Sequence, residues 1–333
     1  MNLNLALGHT LSGRPVIAHG LDNPHISIDG RSGSGKSFFL KKLILQAVRQ
    51  GAACVVFDYS SDFSDFVPPG DITFSVKYVG KADFTLNPLI NIGHQSSAYR
   101  AQQLLMLLEQ VFPMGPRAKL ALRQATQEYL DQETAIPTLE HLIRYIKHHC
   151  TLTTGLYAGL DRLELLSSFL SCGESPIDLD LTNPGLTVLN FSALPSRGMQ
   201  HLLIEMILTV IWSVRTQSTS HEYPPLVLVL DEAQNLSWGQ DGMAVRILRE
   251  GRKFDVAGWF STQWMDKPDA VAALQQAALQ AHFRPDSGGV NRVLNTLDLA
   301  PEERGACRQL LHKLRVGKFL WQMEDGRVLV VNV

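Results

Sequence analysis

Apolar and polar positions along the chain fall into blocks that fit strands and helices in turn. The segment from His25 to Asp29 has the pattern of a short strand, and a glycine-rich turn follows it. Ser37 to Gln50 then carries apolar residues at helical spacing. Ala53 to Asp58 is a continuous apolar run that ends in an acid, as expected for a strand buried on both faces. Strands that alternate with helices predict a mainly parallel sheet with helices on both sides.

The middle of the chain changes to helical spacing between Ser96 and about Ser175. Four helices are predicted there, at 99–112, 117–132, 139–150 and 156–170, and Thr138 is the expected N-cap of the third. Alternation then returns, with strands predicted at 186–190, 226–231 and 256–261 and helices at 197–215 and 239–250. Residues 318–331 predict a β-hairpin around Glu324, Asp325 and Gly326. We therefore predict one α/β domain over residues 1–333, with a helical insertion at 96–175.

Composition narrows the class of protein without assigning a function. The 333 residues are 45% hydrophobic and 19% charged, which is typical of an ordinary globular protein. Apolar runs such as Leu226 to Leu230 are too short for a membrane span, and the N-terminus lacks a secretory pattern, so a cytoplasmic location is expected. The net charge of −2 means that any contact with DNA must come from local groups of Lys and Arg. The four cysteines have no paired spacing that indicates zinc or disulfides.

The glycine-rich turn matches the phosphate-binding pattern G-x-x-x-x-G-K-[ST] and lies between a predicted strand and a predicted helix. Its residues are Gly30, Arg31, Ser32, Gly33, Ser34, Gly35, Lys36 and Ser37. The glycines let successive backbone N–H groups point at phosphate oxygens. Lys36 is expected at the β and γ phosphates, and the Ser37 hydroxyl at Mg²⁺. The alternative is a glycine-rich turn that binds no nucleotide.

Two further strands end in polar residues that suit hydrolysis. The run from Leu226 to Leu230 leads into Asp231 and Glu232. In P-loop enzymes the first acid supports the Mg²⁺ ion, and a following Glu can polarise the attacking water. The next predicted strand ends near Gln263, whose amide suits the γ phosphate or that water. A carboxylate that caps the next turn and an ordinary loop amide are the alternatives for Glu232 and Gln263.

Basic residues lie between these two strands, at Arg249, Arg252 and Lys253. An arginine at the edge of such a core can enter a neighbouring subunit's site and neutralise transition-state charge. Ordinary surface arginines are the alternative. Trp264 is a candidate for stacking or for docking a partner.

Three runs together resemble the HerA and FtsK superfamily of ring-shaped DNA-pumping ATPases, and most of all the HerA branch and the related conjugation ATPases. The runs are Asp231-Glu232-Ala233-Gln234-Asn235, Glu250-Gly251-Arg252-Lys253-Phe254 and Ser261-Thr262-Gln263. The resemblance covers most of the chain outside the helical insertion. It implies a RecA-like P-loop NTPase core that binds ATP and Mg²⁺, assembles as a homohexamer and translocates duplex DNA.

The resemblance also implies roles for individual residues. Lys36 and Ser37 take the phosphate and Mg²⁺ roles, and Asp231 shares the metal role. Glu232 acts on the lytic water, and Gln263 is the γ-phosphate sensor. Arg252 becomes the arginine offered to the adjacent subunit.

The sequence departs from the family in ways that affect partners more than the ATPase core. A full N-terminal β-barrel does not fit before His25, Asp255 stands where the family usually has glycine, and no membrane anchor is expected. A nuclease, conjugation or defence protein is therefore the expected kind of partner, without a choice among them. Two other functions stay open: a conjugation-type ATPase that energises a secretion channel, and a nucleotide-gated scaffold for a partner nuclease or effector.

Overall fold

The strands form a single sheet within the part of the chain that the computed structural model describes, which is residues 1–21, 23–80, 84–132, 135–217, 223–263, 265–323 and 326–333. In chain order they are β1 (Leu5–Thr10), β2 (Pro15–Ala18), β3 (Ile26–Asp29), β4 (Ala53–Asp58), β5 (Phe74–Tyr78), β6 (Gly185–Asn190), β7 (Leu226–Leu230), β8 (Val256–Thr262), β9 (Leu279–Phe283), β10 (Lys318–Gln322) and β11 (Val328–Asn332). Their order across the sheet is β2-β1-β11-β10-β9-β3-β8-β7-β4-β6-β5.

The centre of the sheet is parallel, as the alternation of strands and helices predicts. Strands β9, β3, β8, β7 and β4 run side by side in one direction. Every residue of β4, β7 and β8 is buried, which explains their near-continuous apolar sequences. Register places Asp29 beside Thr262 on one side and His282 on the other. The carboxyl ends of these strands therefore share one edge of the sheet.

The remaining edge strands on the β9 side are antiparallel. β10 and β11 form the hairpin predicted at the end of the chain, and β10 pairs with β9. Residues Glu324 and Asp325 of the predicted turn lie outside the described residues, as does Trp264. β1 and β2 form a second hairpin that pairs with β11. Both strands of this hairpin precede His25 in the chain.

The helices are α1 (Lys36–Arg49), α2 (Ser97–Glu109), α3 (Pro116–Asp131), α4 (Leu139–His149), α5 (Thr154–Ser167), α6 (Arg197–Gln217), α7 (Met243–Glu250), α8 (Pro268–Leu274), α9 (Gly289–Thr296) and α10 (Glu303–Lys313). Side-chain caps explain where several begin: Ser96, Thr138 and Thr153 each accept a hydrogen bond from a backbone N–H in the first turn. The N-cap predicted at Thr138 is therefore confirmed. Helix α7 begins at Met243, four residues after its predicted start, because residues 239–242 close a turn through the Gly242 N–H and the Gly239 carbonyl.

The chain divides into two compact units. The first contains residues 1–76, 181–189 and 220–333 and carries the sheet centre, α1 and α7 to α10. The second contains residues 77–180 and 190–219. It holds the four helices predicted at 96–175, and it also holds α6, which the sequence assigned to the main domain.

A cluster of aromatic rings in the first unit supports the turn between β3 and α1. Phe39 on α1 lies 5.7 Å from Phe283 on β9 and 4.8 Å from Phe319 on β10, measured between ring centroids. All three side chains are fully buried. The glycine-rich turn is thus built on a close-packed base.

Among the described helices, none combines the length and the apolar character that crossing a bilayer needs.

Candidate functional site

The glycine-rich loop joins β3 to α1 at the carboxyl edge of the sheet, and its glycines adopt backbone angles that other residues rarely reach. Gly33 has φ of 71° and Gly35 has φ of 108°. At Gly35 a Cβ would lie 3.0 Å from the backbone nitrogen of Gly317, so the loop can approach the β10 turn only without a side chain. These glycines give the loop the curled shape in which backbone N–H groups converge.

Hydrogen bonds fix the loop from both sides. The Arg31 N–H donates to the Arg284 carbonyl at 3.0 Å, and the Gly317 N–H donates to the Ser34 carbonyl at 3.0 Å. Ser34 is buried and its hydroxyl donates to the Arg31 carbonyl at 2.7 Å. Arg31 and Ser34 therefore shape the loop.

Lys36 begins α1, and its side chain folds back over the loop. Its Nζ donates to the Gly30 carbonyl at 2.6 Å and to the Arg31 carbonyl at 3.1 Å. Burial lowers the pKa of Lys36, while the negative charges of Asp231 and, more weakly, Asp29 and Glu232 oppose that shift. A buried ammonium that is held only by neutral carbonyls has capacity for an anionic partner such as a phosphate.

Asp231 follows β7 and faces the same edge. It is 7% exposed, and burial raises the pKa of its carboxyl group above the usual range, while the neighbouring Ser261 side chain and the backbone of Glu232 act in the opposite direction. A carboxylate that is costly to ionise alone is stabilised by a cation. Asp231 therefore fits a metal ion in this position.

Glu232 has an unusual backbone conformation, with φ of 49° and ψ of 45°. Left-handed conformations cost energy in residues that carry a Cβ and occur often at functional sites. One oxygen of its carboxylate accepts a hydrogen bond from Asn235 at 3.2 Å, and the other accepts one from Gln263 at 3.5 Å. The side chain of Glu232 is therefore aimed by two amides, one of which comes from the end of β8.

These groups surround one cleft of about 410 Å³ in the first unit. Its lining residues are Ser32, Gly33, Gly35, Lys36, Ser37, Phe38, Ser60, Asp62, Asp231, Glu232, Ser261, Gln263 and Val316. Five of the eight loop residues predicted to bind phosphate line it, and Gly30, Arg31 and Ser34 do not. The acids and the glutamine predicted from separate strands meet in the same cleft.

The residues of the cleft fit a nucleoside triphosphate with Mg²⁺. The loop and Lys36 supply donors for phosphate oxygens, and the cleft adjoins the N-terminus of a 14-residue helix. The Ser37 hydroxyl and the Asp231 carboxylate supply the hard oxygen ligands that Mg²⁺ prefers.

Arg252 lies away from this cleft in its own chain. It belongs to a short 3₁₀ turn, Gly251–Phe254, that precedes β8. β8 has seven residues, and its carboxyl end faces the loop. Arg252 precedes the amino end of β8 and is therefore about 20 Å from the cleft, at the opposite edge of the sheet. The side chain is exposed there, so the structure does not bring Arg252 to the other predicted site residues.

Sequence reasoning gave no site role to five residues that line the cleft, of which Ser261 lies in the same run as Gln263. Ser60 and Asp62 follow β4, in the segment where the buried Asp58 accepts hydrogen bonds from backbone N–H groups. Asp58, the acid at the end of the apolar strand β4, indicated that the segment after it lies at this edge of the sheet. Phe38 and Val316 are apolar residues in a polar cleft, and only the three-dimensional structure brings Val316 to the loop.

Some basic residues of the helical unit form ion pairs within that unit. Lys119 forms an ion pair with Glu109, and Lys147 forms one with Glu164 at 2.5 Å. Both pairs are partly solvent-exposed, so they are weakly stabilising and readily exchanged. They do not define a single basic surface.

The parallel sheet, the loop and the acids that follow β7 define a P-loop ATPase. The family model described as "Helicase HerA, central domain" matches residues 16–211, more than half of the chain. The chain therefore belongs to the HerA helicase central-domain family, and the resemblance noted from its motifs is confirmed.

Known relatives and solved structures agree with this family. The chain is 24% identical over 255 residues to the DNA import protein CedB of Sulfolobus acidocaldarius, covering 73% of this chain and 41% of CedB. It thus spans about two fifths of that relative. The structure of VirB4 of Thermoanaerobacter pseudethanolicus superposes with a TM-score of 0.76 at 18% identity, covering 99% of this chain and 96% of that one. The plasmid coupling protein TrwB, in complex with a GTP analogue, gives 0.65 at 16% identity, covering 98% and 89%. At these identities the two structures support the RecA-like fold.

Proposed function

We propose that this ATPase is a motor of the HerA and FtsK type, which hydrolyses ATP between the subunits of a homohexameric ring and translocates duplex DNA. The observation that carries the proposal is the cleft that unites the loop, Asp231, Glu232 and Gln263 in a chain of the HerA family. The name of the relative CedB, a DNA import protein, supports DNA as the substrate that is moved.

In this proposal the loop and four side chains of the cleft have separate tasks. Backbone N–H groups of the loop and the Lys36 ammonium hold the phosphates of ATP, and they neutralise charge that develops in the transition state. Ser37 and Asp231 would hold Mg²⁺, which supplies further neutralisation of the phosphate oxygens. Glu232 orients and polarises the attacking water.

The contact between Gln263 and Glu232 supports coupling of turnover to the rest of the fold. The Gln263 amide lies 3.5 Å from the Glu232 carboxylate, so a γ phosphate or a water in the cleft competes for the same groups. β8 links Gln263 to the turn that holds Arg252 at the other edge of the sheet. The strand thus joins the cleft to the surface where Arg252 is exposed.

Arg252 is proposed to act in a neighbouring subunit. Within its own chain it lies at the wrong edge of the sheet, so a catalytic role requires a second copy. Such a role makes turnover dependent on assembly, which suits a ring motor.

The test is steady-state ATP hydrolysis by the purified protein with and without linear duplex DNA, together with a mass measurement of the assembly. We expect a six-subunit species whose turnover rises with DNA. A species that depends on channel components and ignores DNA would indicate the secretion-type ATPase instead. An assembly that binds ATP but barely turns over, with or without DNA, would indicate a nucleotide-gated scaffold.

A further inference from the structure

Two large apolar side chains stand exposed at the nucleotide cleft. Phe38 is 66% exposed and Val316 is 70% exposed. Of the described residues that line the cleft, these two alone carry apolar side chains, because the others are serines, glycines, acids, Lys36 and Gln263. Single exposed apolar residues are common on proteins, but here both lie at the same functional cleft.

The local structure directs Phe38 outward. Helix α1 begins at Lys36, and the adjacent Phe39 is fully buried against Phe283 and Phe319. Consecutive residues on a helix point about 100° apart, so Phe38 cannot share that core. Its ring remains next to Ser37, on the solvent side of the loop.

Val316 is held beside the same loop by the turn between α10 and β10. The neighbouring Gly317 donates its N–H to the Ser34 carbonyl at 3.0 Å, and its own carbonyl accepts from the Val333 N–H at 2.9 Å. The close approach of Gly35 to this turn adds a second restraint. Val316 is thus an apolar side chain in a fixed position, although solvent surrounds it.

A nucleotide has a polar part and an apolar part, as the cleft has polar residues and two apolar ones. The triphosphate and its metal need the polar part, formed by the loop, Lys36 and the acids. The base is the flat, largely apolar part of a nucleotide, and it binds by packing on aromatic and aliphatic side chains. We propose that Phe38 and Val316 form the surface that receives the nucleotide base. This inference rests on the proposed function in that it places the triphosphate in the loop.

The surface contains no polar group that reads the edge of the base. Phe38 and Val316 offer only apolar contact, so their contribution to affinity depends on the area of the base that packs on them. The affinities for ATP and for GTP should therefore depend on the two residues to the same extent. Specificity for adenine, where it exists, must come from another part of the assembly.

The experiment compares the KM for ATP with the inhibition constant of inorganic tripolyphosphate, which carries the phosphates without a base. Phe38→Ala should raise the KM for ATP and for GTP about tenfold, which corresponds to about 1.4 kcal/mol, and Val316→Ala should raise both about threefold. Both variants should keep kcat and the tripolyphosphate inhibition constant of the wild type. Phe38→Tyr, which keeps an aromatic face, should restore the KM.

Two exposed apolar residues away from the cleft provide matched controls. Leu11 is 68% exposed and Val67 is 84% exposed, and neither lines the cleft. Leu11→Ala and Val67→Ala should leave the KM and the inhibition constant unchanged.

Three results would overturn the inference. An unchanged KM in Phe38→Ala and Val316→Ala would show that the base lies elsewhere. Equal rises in the KM and in the tripolyphosphate constant would show damage to the phosphate loop. A change in the mass of the assembly with no change in the KM would show that the two side chains form a subunit contact. A wild-type protein that binds ATP without turnover would contradict the proposed function alone, and the affinities for ATP and tripolyphosphate would then replace the KM and the inhibition constant in this comparison.

Discussion

Replacing Gly30 by alanine tests whether the shape of the phosphate loop depends on the aromatic cluster beneath it. Gly30 has φ of 147°, and a Cβ built there would lie 2.6 Å from the Cβ of Phe283. Phe283 cannot move aside, because its ring packs at 5.7 Å from Phe39 and 5.1 Å from Phe319. The alanine must therefore displace either the loop or the packed rings.

The cost has two parts that a second variant separates. Forcing a residue with a Cβ into a positive-φ conformation costs about 2 kcal/mol, and overpacking a rigid core costs about 2 kcal/mol more. Gly30→Ala should thus lower the free energy of unfolding by about 4 kcal/mol. Gly33 has φ of 71° but nothing within 4 Å of its Cβ position. Gly33→Ala should therefore lower the free energy of unfolding only by the cost of the backbone conformation, about 2 kcal/mol.

The assay is urea-induced unfolding in the absence of nucleotide, so that ligand binding makes no contribution to stability. Alanine restricts the unfolded chain equally in both variants, and this effect cancels in the difference between them. We expect Gly30→Ala to be less stable than Gly33→Ala by about 2 kcal/mol. Equal stabilities of the two variants would refute the claim that the loop rests on an unyielding aromatic base.

Three further predictions follow from the site and its surroundings. His25 accepts a hydrogen bond from the Gly258 N–H, and burial lowers its pKa to about 4. The contribution of neutral His25 to the free energy of unfolding should therefore be fully present above about pH 6.5, and about 3 kcal/mol should be lost towards pH 4. Urea titrations of wild type and His25→Gln across this range should show a smaller loss in the variant. Gln263→Ala should lower kcat at least tenfold with little change in the KM, measured by steady-state hydrolysis. Arg252→Ala should bind ATP like wild type but hydrolyse it slowly once assembled, and an unimpaired rate in the assembled variant would rule out a catalytic role in the neighbouring subunit.

The parallel centre of the fold could be predicted because its strands have strong sequence signals. β4 and β7 are apolar runs that are buried throughout; β4 ends in Asp58, and Asp231 follows β7 directly, at the edge where ligands bind. The phosphate loop was equally clear, because its spacing and flanks leave little choice of structure. The union of Asp231, Glu232 and Gln263 followed from the rule that parallel strands bring their carboxyl ends together.

Other elements lack a signal that can be read locally. β9 has the sequence Leu-Gln-Ala-His-Phe, and its polar residues Gln280 and His282 obscure a strand that lies inside the sheet. The buried His282 ring has a polar partner, because its Nδ1 lies 2.5 Å from the Asp29 carboxylate, 253 residues away in sequence. Val316 reaches the loop through a hydrogen bond between Gly317 and Ser34, which is also remote in sequence. Such contacts depend on the tertiary structure and leave no periodic pattern.

The motif that contains Arg252 does not indicate where the side chain lies relative to the cleft. Its run, Gly251-Arg252-Lys253-Phe254, lies between two strands that both reach the cleft, and the family resemblance assigned the arginine to the site of an adjacent subunit. The strand β8 separates the two positions by its whole length. A catalytic role for Arg252 in a neighbouring subunit stays a prediction, and the structure shows that the residue lies far from the cleft of its own chain.

The central claim is that this cleft binds ATP and uses Glu232 to activate the water that hydrolyses it. The most direct measurement is equilibrium ATP binding and single-turnover hydrolysis by wild type and by Glu232→Gln, which keeps the size and hydrogen-bonding capacity of the side chain. We expect both proteins to bind ATP with affinities within about twofold, and the variant to lose at least a hundredfold in hydrolysis rate, which is the range expected for removal of a general base. A Glu232→Gln protein that hydrolyses bound ATP at the wild-type rate would contradict the account.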